Sequence, residues 1–437
     1  MADAKIEDLN ELLTADPSDV LPIVDDPAGS PETKKITVTN LLSAAGGGAS
    51  QFDATVGTGG DYTDIQAAIT GVGGTNIKLV LISDVTEDSS VAIPSGGEVL
   101  IHLSSFTLTM GSNNFTYTAA ANVYVTGNGR NSGAELDWTP VGSNQTLFDN
   151  VSFGSSIVGF SDFLYDNNAT GSGCVVSKGI SQFENLEVQL PNTDQGFENF
   201  GQGGFEGNYA RNIKFIGGGA ACENVMRNIN GVDTIFEDIV FVGDYIVGTA
   251  TTNFIGLIGT GAVANNIVFE TNNEITLRIQ TFSQATNILS NYDNLNLFIE
   301  GNNSGGYLAN VELLGGDVDI TNSDKYTIVN LNTTGVIDLT DAGATDNRIT
   351  NCRFETAASL AGDRNKFSNC NFIGGATVTT GAANNQFVNC QFGADAGGGA
   401  LTLTYDSGST GNTASNCIAD ATMVDNGTGN TMDFTVY

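Results

Sequence analysis

Positive charge is scarce in this sequence. Lys and Arg total 15 against 49 Asp and Glu, giving a formal net charge of −34. Such an excess of negative charge argues against nucleic acid and anionic membranes as partners. Histidine is nearly missing: His102 is the only one, so a nucleophilic triad has a single place from which to draw an imidazole base. In VLIHLSSF it is flanked by Ile101 and Leu103, and strand alternation turns it to the opposite side, as a solvated strand residue. Proline is low at 7 while glycine reaches 55, which points to many tight turns rather than disorder. No run of about 18 apolar residues is present to span a membrane. The polar, acidic start MADAKIEDLNELL lacks the basic-then-apolar plan of a secretory signal. The expectation is synthesis in a cytoplasm, with the six cysteines as thiols.

What is present is repetition. NRITNCRFE, NKFSNCNFIG and NQFVNCQFGA place Asn351-Cys352, Asn369-Cys370 and Asn389-Cys390 in one frame, and NTASNCIAD adds Asn416-Cys417. Zinc favours paired C-x(2–4)-C ligands, and no two cysteines here are that close, so no metal is expected. With Asn or Asp followed by an apolar residue, any residue and an apolar one, the frame extends upstream. It recurs at Asn122, Asn150, Asn185, Asn212, Asp238, Asn266, Asn294, Asn310 and Asn330. Steps of 27, 26, 28 and 28 residues from Asn185, and of 18, 20 and 27 from Asn351, are those of a solenoid with loops of variable length. Short alternating strands and glycine-rich turns predict a right-handed, single-stranded parallel β-helix in an all-β chain. The residue after Asn points inward and stacks on its equivalents, Cys serving as a small hydrophobe. The Asn itself occupies a left-handed corner, where its amide can bond the backbone or the next Asn.

A second strand aligns across DVDIT, VIDLT, AASLA, ATVTT and LTLTY. Its inward residues are Val318/Ile320, Ile337/Leu339, Leu360, Ala376/Val378 and Leu401/Leu403, and its outward acids Asp317, Asp319 and Asp338 lie on adjacent coils. Spacing permits carboxylate acid–base work there, although solvated acids are the background of so acidic a chain. Candidate sugar platforms are Trp138, in AELDWTPVG, and Tyr292 and Tyr307, with core anchoring of its loop as the alternative for Trp138. Strings such as GQGGFEG have no helix after them and read as turns, not nucleotide loops.

The chain divides into residues 1–50, a helix and extended arm with a hinge; 51–120, a capping helix and opening strands; and 121–437, the β-helix. In the arm, Ile6, Leu9 and Leu13 share one helical face, and Val20, Leu21, Ile23, Ile36, Val38 and Leu41 supply further apolar contacts. So short a segment has too little core to fold alone and is expected to dock on another body. In VGTGGDYTDIQAAIT, Thr63 and Gln66 read as a capping box on a short helix with Ile65, Ala68 and Ile69 on its apolar face.

The arm, SDVLPIVDD followed by KKITVTNLL, resembles the attachment segments of bacteriophage tail fibres and tailspikes over about 40 residues. GDYTDIQAAI is similar to the G-x-Y/F-x-x-I-Q-x-A-I opening of pectin-lyase-like β-helices. These resemblances imply a virion protein, homotrimeric, held to tail or capsid proteins by its arm and presenting a β-helix to host-surface polysaccharide. Two other readings stay open: a polysaccharide-degrading tailspike, acting as glycoside hydrolase or lyase, and a head fibre or capsid decoration protein. Binding without cleavage is the expectation, since the Gly-His and paired-Asp motifs of polygalacturonase-like hydrolases and the GRPW stretch of pectin esterases are missing. No cofactor is implied, and no separate C-terminal trimerisation domain is recognised after GNTMDFTVY.

Overall fold

The computed structural model describes residues 20–25, 32–37, 51–117, 120–140, 145–149, 156–168, 173–176, 180–190, 207–221, 225–227, 234–246, 256–258, 261–271, 275–280, 283–290, 295–300, 305–321, 324–335, 337–339, 343–393 and 402–436. Two compact units result, Met1–Asp53 and Ala54–Tyr437. In the first, Val20–Asp25 pairs antiparallel with Glu32–Thr37, so two stretches of the arm form a ladder with each other. Ile6, Leu9, Leu13, Val38 and Leu41 lie outside the described residues.

The second unit is a parallel β-helix, and every strand pairing described in it is parallel. One long sheet runs from Ala54–Val56 to Thr431–Val436. Three late coils enter it as two short strands on either side of a corner, as Arg348–Thr350 and Arg353–Phe354 do about Asn351, while others, such as Thr327–Thr333, run through the corner as one strand. A second face is made by a four-stranded sheet early in the chain and a ten-stranded sheet later. Strand residues alternate between the two sides of the wall. The inward set, including Ile213, Phe241, Ile267, Leu331 and Ile349, is fully buried, as one continuous apolar column. The aligned second strands pair as expected, and Val318, Ile320, Ile337, Leu339, Leu360, Ala376, Val378 and Leu403 all face the core.

The corner asparagines adopt the left-handed conformation. From Asn185 (φ 53°) through Asn212, Asp238, Asn266, Asn310, Asn330, Asn351, Asn369 and Asn389 to Asn416 (φ 51°), each has positive φ, a region that Asn tolerates better than other residues with a Cβ. Their amides form a ladder: Asn416 Nδ2 donates to Asn389 Oδ1 (2.7 Å), Asn389 to Asn369 (3.2 Å) and Asn369 to Asn351 (3.3 Å). One frame needs correction. The corner between Asn266 and Asn310 is Asn287 (φ 56°), whose amide accepts from Asn310 Nδ2 at 3.1 Å. Of the NLNL frame, Asn294 lies outside the described residues, and Leu295–Leu297 belong instead to the strand Leu295–Glu300 of the second face. NLNL satisfies the loose pattern while NILS breaks it at Ser290, and the pairing register identifies Asn287 as the corner. Asn122 is likewise no corner: it opens the strand Asn122–Thr126, and its Oδ1 accepts from Ile157 N at 3.0 Å.

Cys352, Cys370, Cys390 and Cys417 are buried thiols one coil apart along the column. Each Sγ donates to a backbone carbonyl of its own coil, Cys370 to Ser368 O at 3.4 Å for example. Hydrogen bonding to the stacked neighbouring thiol, then burial, pushes Cys370 and Cys390 up to about 12, so both stay protonated at neutral pH. Beside them Phe354, Phe372 and Phe392 stack with centroids 5.1 Å apart, and Phe367 on Phe387 at 4.9 Å.

The helix α1, Ile65–Val72, packs on the strands Ala54–Val56, Asn76–Leu81 and Val91–Ile93. Ile65, Ala68 and Ile69 are buried there, so α1 covers the apolar end of the first coils as the opening motif implies. The expected capping box is not what starts it. Asp64 is the N-cap, accepting from Ala67 N at 2.7 Å, while Thr63 Oγ1 donates to Asp64 Oδ2. A carboxylate is the stronger acceptor at a helix N-terminus, and Gln66 turns away to accept from Ala92 N at 2.7 Å. A second carboxyl, buried Glu87, accepts from Ile65 N at 2.6 Å. Burial first, with repulsion from Asp64 and Asp88, raises Glu87 from 4.5 to about 7. A carboxyl with a raised native pKa stabilises most below its unfolded value, and that contribution is lost as pH rises from about 4.5 to about 7. Measured from pH 4 to 8, the unfolding midpoint of wild type should therefore fall between about pH 4.5 and about 7 more steeply than that of Glu87→Gln, so that the two lie close at pH 4 and diverge towards pH 8. Equal slopes would remove Glu87 from the pH response.

Candidate functional site

The outward side of the long sheet carries one residue per coil in strict register. Along one column these include Tyr124, Tyr209, Val263, Tyr307, Arg348 and Lys366. The Tyr124 ring lies across Gly159, where an added Cβ would come within 2.4 Å of it. Tyr209 has the Arg211 guanidinium 4.9 Å from its ring centroid. Tyr307 is open, 39% exposed, and is followed by Thr327, Arg348 and Lys366 on the next three coils.

Beside this column runs a second left-handed corner, occupied by Lys325 (φ 62°), Asp346 (57°), Arg364 (57°) and Asn384 (60°). Arg364 spans one coil to clasp Asp346 with both ends of its fork, Nε to Oδ1 at 2.8 Å and a terminal nitrogen to Oδ2 at 2.9 Å. This holds the Asp346 carboxyl below the usual range. Between the two columns lies an open groove of about 860 Å³, lined by Lys325, Arg348, Arg364 and Lys366 and by a single carboxylate, Asp346. Inner support comes from Asn347 and Asn365, both buried. Asn347 Oδ1 accepts from Tyr326 N (2.8 Å), and Asn365 Oδ1 from Asn347 N (3.0 Å). These bonds fix the backbone from which Arg348 and Lys366 project.

Neither the groove nor its inner asparagines was foreseen from the sequence. The signal is present in SDKYT, TDNRIT and GDRNKF. It becomes visible only when Lys325, Asp346 and Arg364 are aligned as equivalent corners, which the NCxF frame alone does not do.

The candidate carboxylates fall on the second face. Asp319 and Asp338 are register partners on adjacent coils, and Asp317, two residues before Asp319, is exposed. Asp317 N donates to Asn296 Oδ1 at 2.9 Å. Phe298 precedes Asp319 in the same column, with Arg278 over its ring at 5.8 Å. The three acids are therefore brought together, and they stand apart from the groove. Trp138 is a core residue, 1% exposed, its Nε1 donating to Asn113 O at 2.9 Å; the inward alternation of Glu135–Trp138 leaves its ring no face towards solvent. Tyr292 lies outside the described residues. His102 is half-buried on the outer side, its Nδ1 2.9 Å from Thr126 Oγ1. Among the described residues no helix is long and apolar enough to cross a membrane.

No protein-family model matches the chain, and no curated protein does. Among solved structures, the chain aligns with tailspike protein 3 of bacteriophage CBA120 at 12% identity and a TM-score of 0.30, over 95% of this chain and 64% of that one. It aligns with PfbA, a surface adhesin of Streptococcus pneumoniae, at 10% identity and a TM-score of 0.18, over 85% of each chain. The chain thus spans a little under two thirds of the tailspike's length.

Proposed function

We propose that this protein is a virion component of the tail-fibre or tailspike kind. Its N-terminal segment attaches to the particle, as a homotrimer, and its β-helix is presented to a glycan on the host surface. The observation that carries the reading is the outward column of the long sheet, where side chains recur at the strand spacing of roughly 4.8 Å over many coils. Such a straight ruler suits a linear repeating polymer, and exposed Tyr307 offers a ring face for a sugar. The resemblances of the arm and of the GDYTDIQAAI opening support the same reading. Particles lacking only this protein should fail to adsorb to host cells, and purified protein should compete with intact particles. Normal adsorption without it would favour a decoration role and sink the proposal.

Cleavage is the second reading, favoured by one observation: Asp319 and Asp338 face outward as direct register partners, near the roughly 5 Å separation of retaining glycosidases. Release of oligosaccharides from host polysaccharide, lost in Asp338→Asn, would establish it.

A further inference from the structure

The groove beside Tyr307 runs against the charge of the whole molecule. The chain has 49 acids to 15 bases, yet four bases and one acid line this groove, and that one acid is already clasped by Arg364. Two neighbouring acids, Asp363 and Asp324, attract Arg364 and are tied by hydrogen bonds, Asp363 accepting from Ala383 N at 2.6 Å and Asp324 from Thr345 Oγ1. Arg348 and Lys366 are direct register partners, and like charges so placed repel. Neither they nor Lys325 form an ion pair among the described residues. A fold with carboxylates in such surplus leaves three cations side by side in a concave site, none in a direct salt bridge among the described residues, with Asp346 attracting Lys325 from beyond ion-pair distance.

We infer that Lys325, Arg348 and Lys366 form a binding site for an anionic polysaccharide, with Tyr307 as the platform for an adjoining sugar ring. The inference rests on the glycan-binding reading above and names the ligand's chemistry. Arg348 presents a planar fork suited to a carboxylate or a phosphate, and the two lysines add point charges. Tyr307 stands two coils from Arg348 in the same column, roughly 9–10 Å away, so one extended chain can meet both. Corner and strand backbone are fixed from within by Asn347 and Asn365, so the site needs no rearrangement to bind.

The test is titration of the full-length protein with three polymers: polygalacturonate, its carboxyl-reduced neutral counterpart, and a glycerol-phosphate polymer. The expected result is salt-sensitive binding of at least one anionic polymer and none of the neutral one. Preference between the two identifies carboxylate or phosphate as the anion read. R348A/K366A should weaken binding at least about tenfold, one charge-assisted contact being worth that much, and Tyr307→Ala should weaken it without changing its salt slope. Arg353→Ala, a surface cation paired with Glu355 outside the groove, should bind as wild type. Equal losses in R348A/K366A and Arg353→Ala, no loss in either, or no binding of either anionic polymer would overturn the inference. So would a change in sedimenting mass for R348A/K366A, which would make this face a subunit contact. If anionic polymers do not bind but particles still require the protein for adsorption, only the ligand class fails; if adsorption does not require it, the parent reading fails.

Discussion

Replacing Asn385 with leucine should cost the molecule about 2–6 kcal/mol, the penalty for orphaning two buried polar groups. Asn385 is 1% exposed. Its Oδ1 accepts from Asn365 N at 2.9 Å, and its Nδ2 donates to Gly362 O at 2.8 Å. Leucine fills the volume and takes from that buried N–H and C=O the side-chain partner that each now has. The position sits within a run of such bonds, Asn412 Oδ1 serving Asn385 N and Asn430 Oδ1 serving Asn412 N. Because a solenoid's stability is a sum of coil and neighbour terms, the loss should be local, with the coils around Asn385 melting ahead of the rest. Asn389→Gly, four residues on, is the control. It keeps a backbone at φ 54° that glycine adopts freely, and it removes only exposed amide bonds, a change of about 1 kcal/mol or less. Denaturant midpoints decide: if the two variants unfold together, the inner ladder is not what holds the coils in register.

The second large effect is Cys370→Asp. Cys370 lies between Cys352 and Cys390 in the thiol column, 2% exposed. A carboxylate there has no cation to pair with among the stacked thiols and phenylalanines, and burying it unpaired costs several kcal/mol or forces its protonation. Cys370→Val keeps volume and polarity close to those of the thiol, so it should cost less than about 1.5 kcal/mol. Far-UV circular dichroism and thermal melts of the two proteins test this. Equal tolerance of valine and aspartate would place the side chain on the outside of the coil.

Much of the fold was legible because one residue type marks it. The corner Asn recurs with an apolar successor, and the left-handed backbone plus inward stacking accounts for both positions. The NCxF cysteines raised a metal question that the upstream Ile, Val and Leu equivalents turned into one of packing. What stayed hidden was register. NLNL at Asn294 satisfies the pattern and NILS at Asn287 breaks it at Ser290, yet Asn287 is the corner, which strand pairing picks out. The inner asparagines Asn347, Asn365, Asn385 and Asn412 stand in plain view at the head of each NxxxNC stretch. They are polar residues at inward positions, though, where an apolar template finds nothing. The basic groove was masked differently. An overall charge of −34 describes the average surface and says nothing about four cations that the winding gathers from residues 325 to 366. Trp138, which residue type leaves open between sugar platform and core anchor, is turned inward by strand parity, as a core anchor.

The unequal length of the coils has a mechanical consequence. Hydrogen bonds between successive strands lie along the helix axis, so tension applied between the two ends loads them one coil at a time. Each coil that peels off releases its own length of chain. The coil from Asn351 to Asn369 holds 18 residues and that from Asp238 to Asn266 holds 28, which extend to roughly 60 and 95 Å at about 3.4 Å per residue. A single molecule drawn out between its termini would therefore lengthen in steps of differing size, the shortest of these corner-to-corner steps being that from Asn351 to Asn369 and the 27-residue step from Asn389 to Asn416 among the long ones, and the order of step sizes would report from which end the winding gives way.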